Sequence, residues 1–408
     1  MKILGIIAEY NPFHNGHKYQ IQKAKECTGA DYVVVIMSGP FVQRGEPALL
    51  SKYQRAKAAL SEGADLIIEL PVCYATASAN YFALGAVNLL HQLGVVSHLS
   101  FGVETHDLDL FYKLAQFLEH ESDDYKRILR QNLKEGLPFP KARRNAVSIL
   151  LGEEFVLLLD TPNNILALEY ILALNKLQSK IIPVPIARIN NQYHQKELSS
   201  AISSATAIRS AVLDHHSDSF YEALPPAMKE IFHKNYGKTF PIALNDFSTF
   251  FHYHKITQPH PMSSYFDGTE ELERRFWKLY SPTLTLEELI LLLKHKGYTN
   301  TRIQRFLLHF LLEITTEQMQ LFLEKDITYY GKILGFRTDA SLLLKEISKN
   351  SSIPVFYRPV DQQKLSDLGK KMYHIDKKSE ELYQLIVLQK FQTEIPKEKT
   401  IILTAQTE

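Results

Sequence analysis

Cysteine is almost missing from this chain: Cys27 and Cys73 are the only two in 408 residues. Two thiols make neither a disulfide framework nor a cysteine zinc site, and both are expected reduced inside a core. No apolar run approaches the ~20 residues needed to cross a bilayer, which argues against a membrane protein. Residues 1–8 read as a strand, without the charged start and cleavage site of a leader. A cytoplasmic location is the expectation. Charge of one sign is also missing: 46 Lys and Arg stand against 45 Asp and Glu, a formal net charge of +1. The whole chain is therefore no polycation, and any nucleic-acid surface must be a local patch. Internal repeats and low-complexity tracts are absent too. What is present, 45% hydrophobic and 22% charged residues, is the composition of a globular protein long enough for two domains.

The first half alternates short β-branched runs with helical patterns. Strands are predicted over residues 2–8, 32–37, 66–70, 98–103 and 181–185, and helices over 19–26, 52–61, 80–93 and 164–176. That order predicts a parallel sheet with right-handed crossovers. Charge-rich helical insertions are predicted over 108–133 and 141–150. After about residue 209 the pattern turns mainly helical, with a small α/β element near 332–357 and a loose tail over 397–408. The expected fold class is therefore α/β: a Rossmann-like parallel-sheet domain over 1–212, then a mainly helical domain over 213–408 with a small α/β element.

The segment Ile6-Ile7-Ala8-Glu9-Tyr10-Asn11-Pro12-Phe13-His14-Asn15-Gly16-His17 carries the most chemistry. A strand runs into a turn holding His-x-Gly-His, and a helix follows. Such a turn lies at the carboxyl end of the first parallel strand, where open α/β sheets bind ligands. Imidazole N–H groups of His14 and His17 suit the α-phosphoryl oxygens of a nucleoside triphosphate, which gain charge as pyrophosphate leaves. Gly16 lets the backbone come close, and the helix start offers free N–H groups to phosphate. Read blandly, this is a turn with two surface histidines.

Other stretches fall at strand ends or helix starts. Ser204-Ala205-Thr206-Ala207-Ile208-Arg209 resembles the Ser-x-Thr-x-Ile-Arg signature that closes many His-x-Gly-His nucleotidyltransferase domains. Its hydroxyls and Arg209 suit the β- and γ-phosphates. The shaped loop from Ser38 to Pro47 offers Arg44 to a phosphate or a small carboxylate. Gly102, one or both of Asn163 and Asn164, and Arg188 complete the candidate nucleotide set. The histidine pairs His215-His216 and His252-x-His254 lack partner clusters, so no metal site is expected.

Four stretches together resemble one family: residues 5–17, 37–48, 101–104 and 161–170 are similar to the bacterial tRNA(Met) cytidine acetate ligases, and the likeness extends to Gly297–Arg305. The resemblance implies that ATP and acetate form acetyl-adenylate with release of pyrophosphate. The acetyl group then passes to the exocyclic amine of the wobble cytidine in elongator tRNA(Met), giving N4-acetylcytidine. It places the ATP site at Ile7–Gln20 with Gly102, one of Asn163 and Asn164, and Arg188, and it puts His14 and His17 near the reacting phosphorus. Lys18, Ser204, Thr206 and Arg209 would lie along the departing pyrophosphate. Mg²⁺ is expected to travel with ATP, and no obligate protein partner is implied.

The second half would then hold tRNA. Lys294, Lys296, Arg302 and Arg305 gather with Tyr298 around a glycine turn between helices; cations suit phosphates and an aromatic suits a base. Lys141, Arg143 and Arg144 form a second basic spot. Two other classes stay open: a small-molecule adenylyltransferase of cofactor biosynthesis, and a tRNA-binding protein without catalysis.

Overall fold

The computed structural model describes residues 1–188, 203–214, 218–258, 260–393 and 399–404. The strands are β1 (Ile3–Ala8), β2 (Tyr32–Ser38), β3 (Phe41–Val42), β4 (Glu46–Pro47), β5 (Leu66–Leu70), β6 (His98–Val103), β7 (Ile182–Ala187), β8 (Gly331–Arg337), β9 (Val355–Phe356) and β10 (Ile401–Leu403). All but β3 and β4 form one eight-stranded sheet, ordered β10-β8-β5-β2-β1-β6-β7, with β9 also on β8. The strands β5, β2, β1, β6 and β7 run parallel, as the alternating pattern predicts.

The apolar runs are continuous because both faces of the sheet are covered. Alternate residues of one strand enter opposite cores. Val34, Ile36, Leu66 and Ile68 join one core with the helices Ala79–Gln92 and Pro162–Lys176. Val33, Val35, Leu4 and Ile6 join the other, under the helix Lys52–Ser61. Strand β7 lies at the sheet edge, which explains how it accommodates Pro183 and Pro185.

Several expectations need correction. The tail is not loose throughout: Ile401–Leu403 is β10, because its apolar run pairs with β8. β8 is antiparallel to β5, so the sheet draws strands from both sides of the 212/213 boundary. The helical insertion expected over 108–133 consists of two helices, Leu108–Glu119 and Asp123–Lys134. The second starts anew because the Ser122 hydroxyl accepts the Tyr125 N–H. The helix Glu153–Asp160 and the β3–β4 hairpin were not foreseen. Cys73 is buried, but Cys27 is exposed on the outer face of its helix. Among the described residues no single helix is long and apolar enough to cross a membrane.

Candidate nucleotide site and RNA-contact surface

Parallel strands put their carboxyl ends along one edge, and the segments leaving β1, β2, β6 and β7 meet there. After Ala8 the chain turns through Tyr10, a non-glycine residue at φ +50°, and a cis Asn11–Pro12 bond. Left-handed backbone costs an ordinary residue about 1–2 kcal/mol, and such strain collects at functional turns. The turn is held from several sides. The Asn11 side-chain oxygen accepts the Leu49 N–H at 2.7 Å, and the Asn11 carbonyl accepts an Arg209 N–H at 2.9 Å. Buried Tyr10 and Phe13 pack edge to face at 4.7 Å, and Tyr10 meets His17 at 4.8 Å. The side chains of Ile7, Ala8 and Glu9 are half-exposed along this open edge.

The helix Asn15–Thr28 opens on a reciprocal cap made by the two histidines. Gly16 N–H donates to His14 Nδ1 at 3.1 Å, and His14 N–H donates to His17 Nδ1 at 3.3 Å. The rings stack with centroids 3.7 Å apart. An Nδ1 that accepts a backbone N–H leaves the ring proton on Nε2. Both imidazoles are also held neutral. Burial, then Arg188 and Arg209, pull His14 down to about 3; burial, then His14 and Arg188, pull His17 well below the usual imidazole value. The pair is thus two neutral donors with fixed tautomers beside a helix N-terminus.

Arg188 leaves β7 with its N–H bonded to the Val103 carbonyl at 3.1 Å. Its stem lies over Gly102, where an added Cβ would sit 3.4 Å from Arg188 Cγ. Its guanidinium donates to Asn163 Oδ1 at 3.3 Å. The neighbouring Asn164 is buried and committed to structure: it accepts the Glu104 and Thr105 N–H groups and donates to Thr105 Oγ1 and the Leu157 carbonyl. Of the two asparagines, Asn163 alone bonds to Arg188. Glu104 steadies Asn163 and Thr161 from the end of β6.

On the other side of the turn, the Ser204 hydroxyl accepts the Ala207 N–H at 3.2 Å, at the start of the helix Ala205–Asp214. Arg209, one turn along, also reaches Thr206 Oγ1 at 3.4 Å. Asn15 donates to the Glu222 carbonyl, while Tyr19 and Gln20 are half-exposed along the same helix. Lys18 was expected over pyrophosphate; its ammonium instead sits 2.8 Å from Glu62, so its charge is already paired.

One organising residue escaped the sequence reading. Arg55 is fully buried and donates to the carbonyls of Glu9, Ser38, Gly39 and Leu50. It ties the carboxyl ends of β1 and β2 together, and burial pulls it down to about 10 despite the surrounding acids. Beside it Lys52 bridges Glu69 and Glu380 at 2.9 and 2.8 Å, all buried. No local pattern marks such a cation; only the partners that the fold brings to it do.

The β2 loop joins the two halves. Gly45, at φ +81°, lies so close to the helix Asn300–Leu312 that a Cβ would be 2.6 Å from the Arg305 nitrogen. Arg44 beside it is exposed and makes no ion pair among the described residues. Of the cations expected around the hairpin, Lys294 and Lys296 are exposed. The Arg302 guanidinium lies over the Tyr298 ring at 4.9 Å, and the Tyr298 hydroxyl meets Thr269 and Glu271. Arg305 is a correction: it points inward and pairs with Asp267 at 2.7 Å, because its position faces the core between helices. The second basic spot is likewise largely spent, since Arg143 pairs with Glu169 and Arg144 with Asp160.

Among the described residues no group of three or more His, Cys, Asp or Glu could hold a metal ion. His252 bonds to Tyr280 and the Leu284 carbonyl, and His254 faces Glu313. His215 and His216 lie outside the described residues.

A parallel sheet whose strand ends gather a His-x-Gly-His helix cap, a Ser-x-Thr-x-Ile-Arg helix and an arginine after β7 defines the nucleotidyltransferase class, and the chain belongs to the HIGH nucleotidyl transferase family, whose model matches residues 1–398. It is 41% identical over 388 residues to the tRNA(Met) cytidine acetate ligase of a Thermoanaerobacter species, covering 94% of this chain and 95% of that protein. The enzyme of the same name from Clostridium perfringens is 39% identical over 368 residues, 87% and 89% of the two chains. Among solved structures, Thermotoga maritima TmcAL superposes with a TM-score of 0.91 at 29% identity, over 99% of this chain and all of that one. The same protein bound with α-thio ATP gives 0.89 at 30% identity, with 99% and 100% covered.

Proposed function

We propose that this chain is an ATP-dependent tRNA(Met) cytidine acetate ligase that activates acetate as acetyl-adenylate. The observation that carries the chemistry is the stacked pair of imidazoles whose Nδ1 atoms are both taken by backbone N–H groups, an arrangement that leaves Nε2 as the donor. An acetate oxygen attacks the α-phosphorus, and the bond to the β-phosphate oxygen breaks. The electron pair leaves with pyrophosphate. His14 and His17 donate Nε2–H bonds to oxygens that gain charge in that step, and donors already in place cost no reorganisation. Asn163, Arg188 and Gly102 lie where the rest of the nucleotide is held, while Arg209, Thr206 and Ser204 serve the leaving pyrophosphate. Mg²⁺ enters on the triphosphate oxygens, a usual mode for that ion, rather than in a protein cage.

In the second step the cytidine N4 amine attacks the acetyl carbonyl carbon, AMP leaves, and the amine loses a proton. The surface around Lys294, Lys296, Tyr298 and Arg302 holds the RNA, and Arg44 lies at the junction between that surface and the strand ends. The functional division is thus ATP chemistry in 1–212 and RNA holding in 213–408, with β8 to β10 lent back to the sheet.

The test is incubation with ATP, Mg²⁺ and labelled acetate, with and without tRNA. Pyrophosphate release together with label in tRNA supports the ligase. Turnover only with a phosphorylated small acceptor indicates an adenylyltransferase, and tRNA retention without turnover indicates a binding protein.

A further inference from the structure

The insertion between β6 and β7 presents a cationic face that the hairpin surface does not account for. In the helix Asp123–Lys134, Lys126, Arg130 and Lys134 recur every four residues. All three are exposed, and none makes an ion pair among the described residues. Like charges at that spacing weaken a helix, and a merely solvated face mixes both signs. Here the acids sit only at the ends: Asp123 and Asp124 in the first turn, the latter paired with Arg127 at 2.9 Å, and Glu135 at the cap. Each four-residue step advances about 6 Å along the helix, close to the spacing of successive phosphates on an extended nucleic-acid strand.

This face continues into the hairpin surface. The turn that ends the helix touches the hairpin: a Cβ on Gly136 would be 3.5 Å from the Lys296 side chain, and one on Gly297 would be 3.7 Å from the Gly136 carbonyl. Lys134, Lys294 and Lys296 therefore flank one seam. The insertion also grows from the nucleotide edge itself, leaving the sheet after Val103 and returning through the helix that carries Asn163.

We propose that Lys126, Arg130 and Lys134 form a phosphate track on which the RNA backbone lies, continuous with Lys294 and Lys296. The inference rests on the tRNA reading of the hairpin and names a second element of the same RNA surface. The track reads backbone charge, so it adds affinity without selecting sequence.

The test uses the full-length protein with tRNA(Met). Replacing Lys126, Arg130 and Lys134 together by Ala is expected to raise the KM for tRNA at least ~10-fold and to lower the slope of log affinity against log salt by about two to three, the loss expected for three phosphate contacts. Acetate-dependent exchange of pyrophosphate into ATP without tRNA serves as the control for fold and nucleotide site. Glu135→Lys, which extends the track, is expected to lower the KM for tRNA several-fold, a gain that misfolding cannot produce. An unchanged KM and salt slope in the triple variant, with wild-type protein acetylating tRNA normally, overturns the track and leaves the ligase reading intact. Wild-type protein that neither binds nor acetylates tRNA overturns both.

Discussion

The turn after β1 and the basic surface from the insertion to the hairpin both suit phosphate, by opposite physics. At the turn the donors are few and fixed. Backbone N–H groups occupy both Nδ1 atoms, Tyr10 and Phe13 wall the rings, and burial keeps the imidazoles uncharged. At the surface the groups are charged, solvated and long; apart from Arg302 over Tyr298, little holds them in one geometry. Fixed neutral donors suit a transition state, where placement decides the rate. Mobile cations suit a polyanion, where counterion release decides the affinity. The chain separates the two tasks in space and builds each from the residue type that suits it.

The sharpest break of this comparison is at the histidines. His14→Ala and His17→Ala are each expected to lower acetate-dependent pyrophosphate exchange by roughly 10²-fold or more, the scale of a lost transition-state donor, while tRNA retention on a filter stays near wild type. Equal loss of both functions would show that the two regions are not separable.

The next effect is on stability. Arg305→Ala removes the cation paired with the half-buried Asp267 and is expected to cost about 1–3 kcal/mol, the penalty for a polar group left without its partner, seen as a lower denaturant midpoint. Arg302→Ala, half-exposed on the same helix, is expected to lower the midpoint less and to weaken tRNA binding a few-fold. Reversal of those two outcomes would place Arg305, not Arg302, at the RNA.

A pH titration sharpens the histidine side. His14 binds its proton at about 3 in the folded chain and near 6.5 when unfolded. Below about pH 6.5 the unfolded chain therefore takes up more protons, and stability falls as pH drops towards 3. The melting temperature is expected to decline from pH 7 to pH 5, and less steeply in His14→Gln. Parallel declines in both proteins would remove His14 as the cause.

How much of this was legible follows the reach of each signal. The strand, turn and helix around His14 are local, and so they could be read directly. That these strands run parallel followed from alternation; their order in the sheet is fixed by the fold. The partners that decide the remaining roles are distant in sequence: Glu62 for Lys18, Asp267 for Arg305, Glu169 for Arg143. Arg55 looks like any helix-surface cation until Leu50 and the ends of β1 and β2 close around it. The return of β8 and β10 to the sheet had no local mark beyond short apolar runs. A cation's type is written in the sequence, but whether it is already paired is written only in the fold.

The most direct measurement is nitrogen-15 NMR of the histidine rings, with His14 and His17 assigned by their loss in His14→Gln and His17→Gln. The account predicts that both rings remain neutral with the proton on Nε2 from pH 8 down to pH 5, and that both Nε2–H signals shift when a non-hydrolysable ATP analogue is added. Rings that titrate near the ordinary imidazole value and ignore the analogue would contradict it.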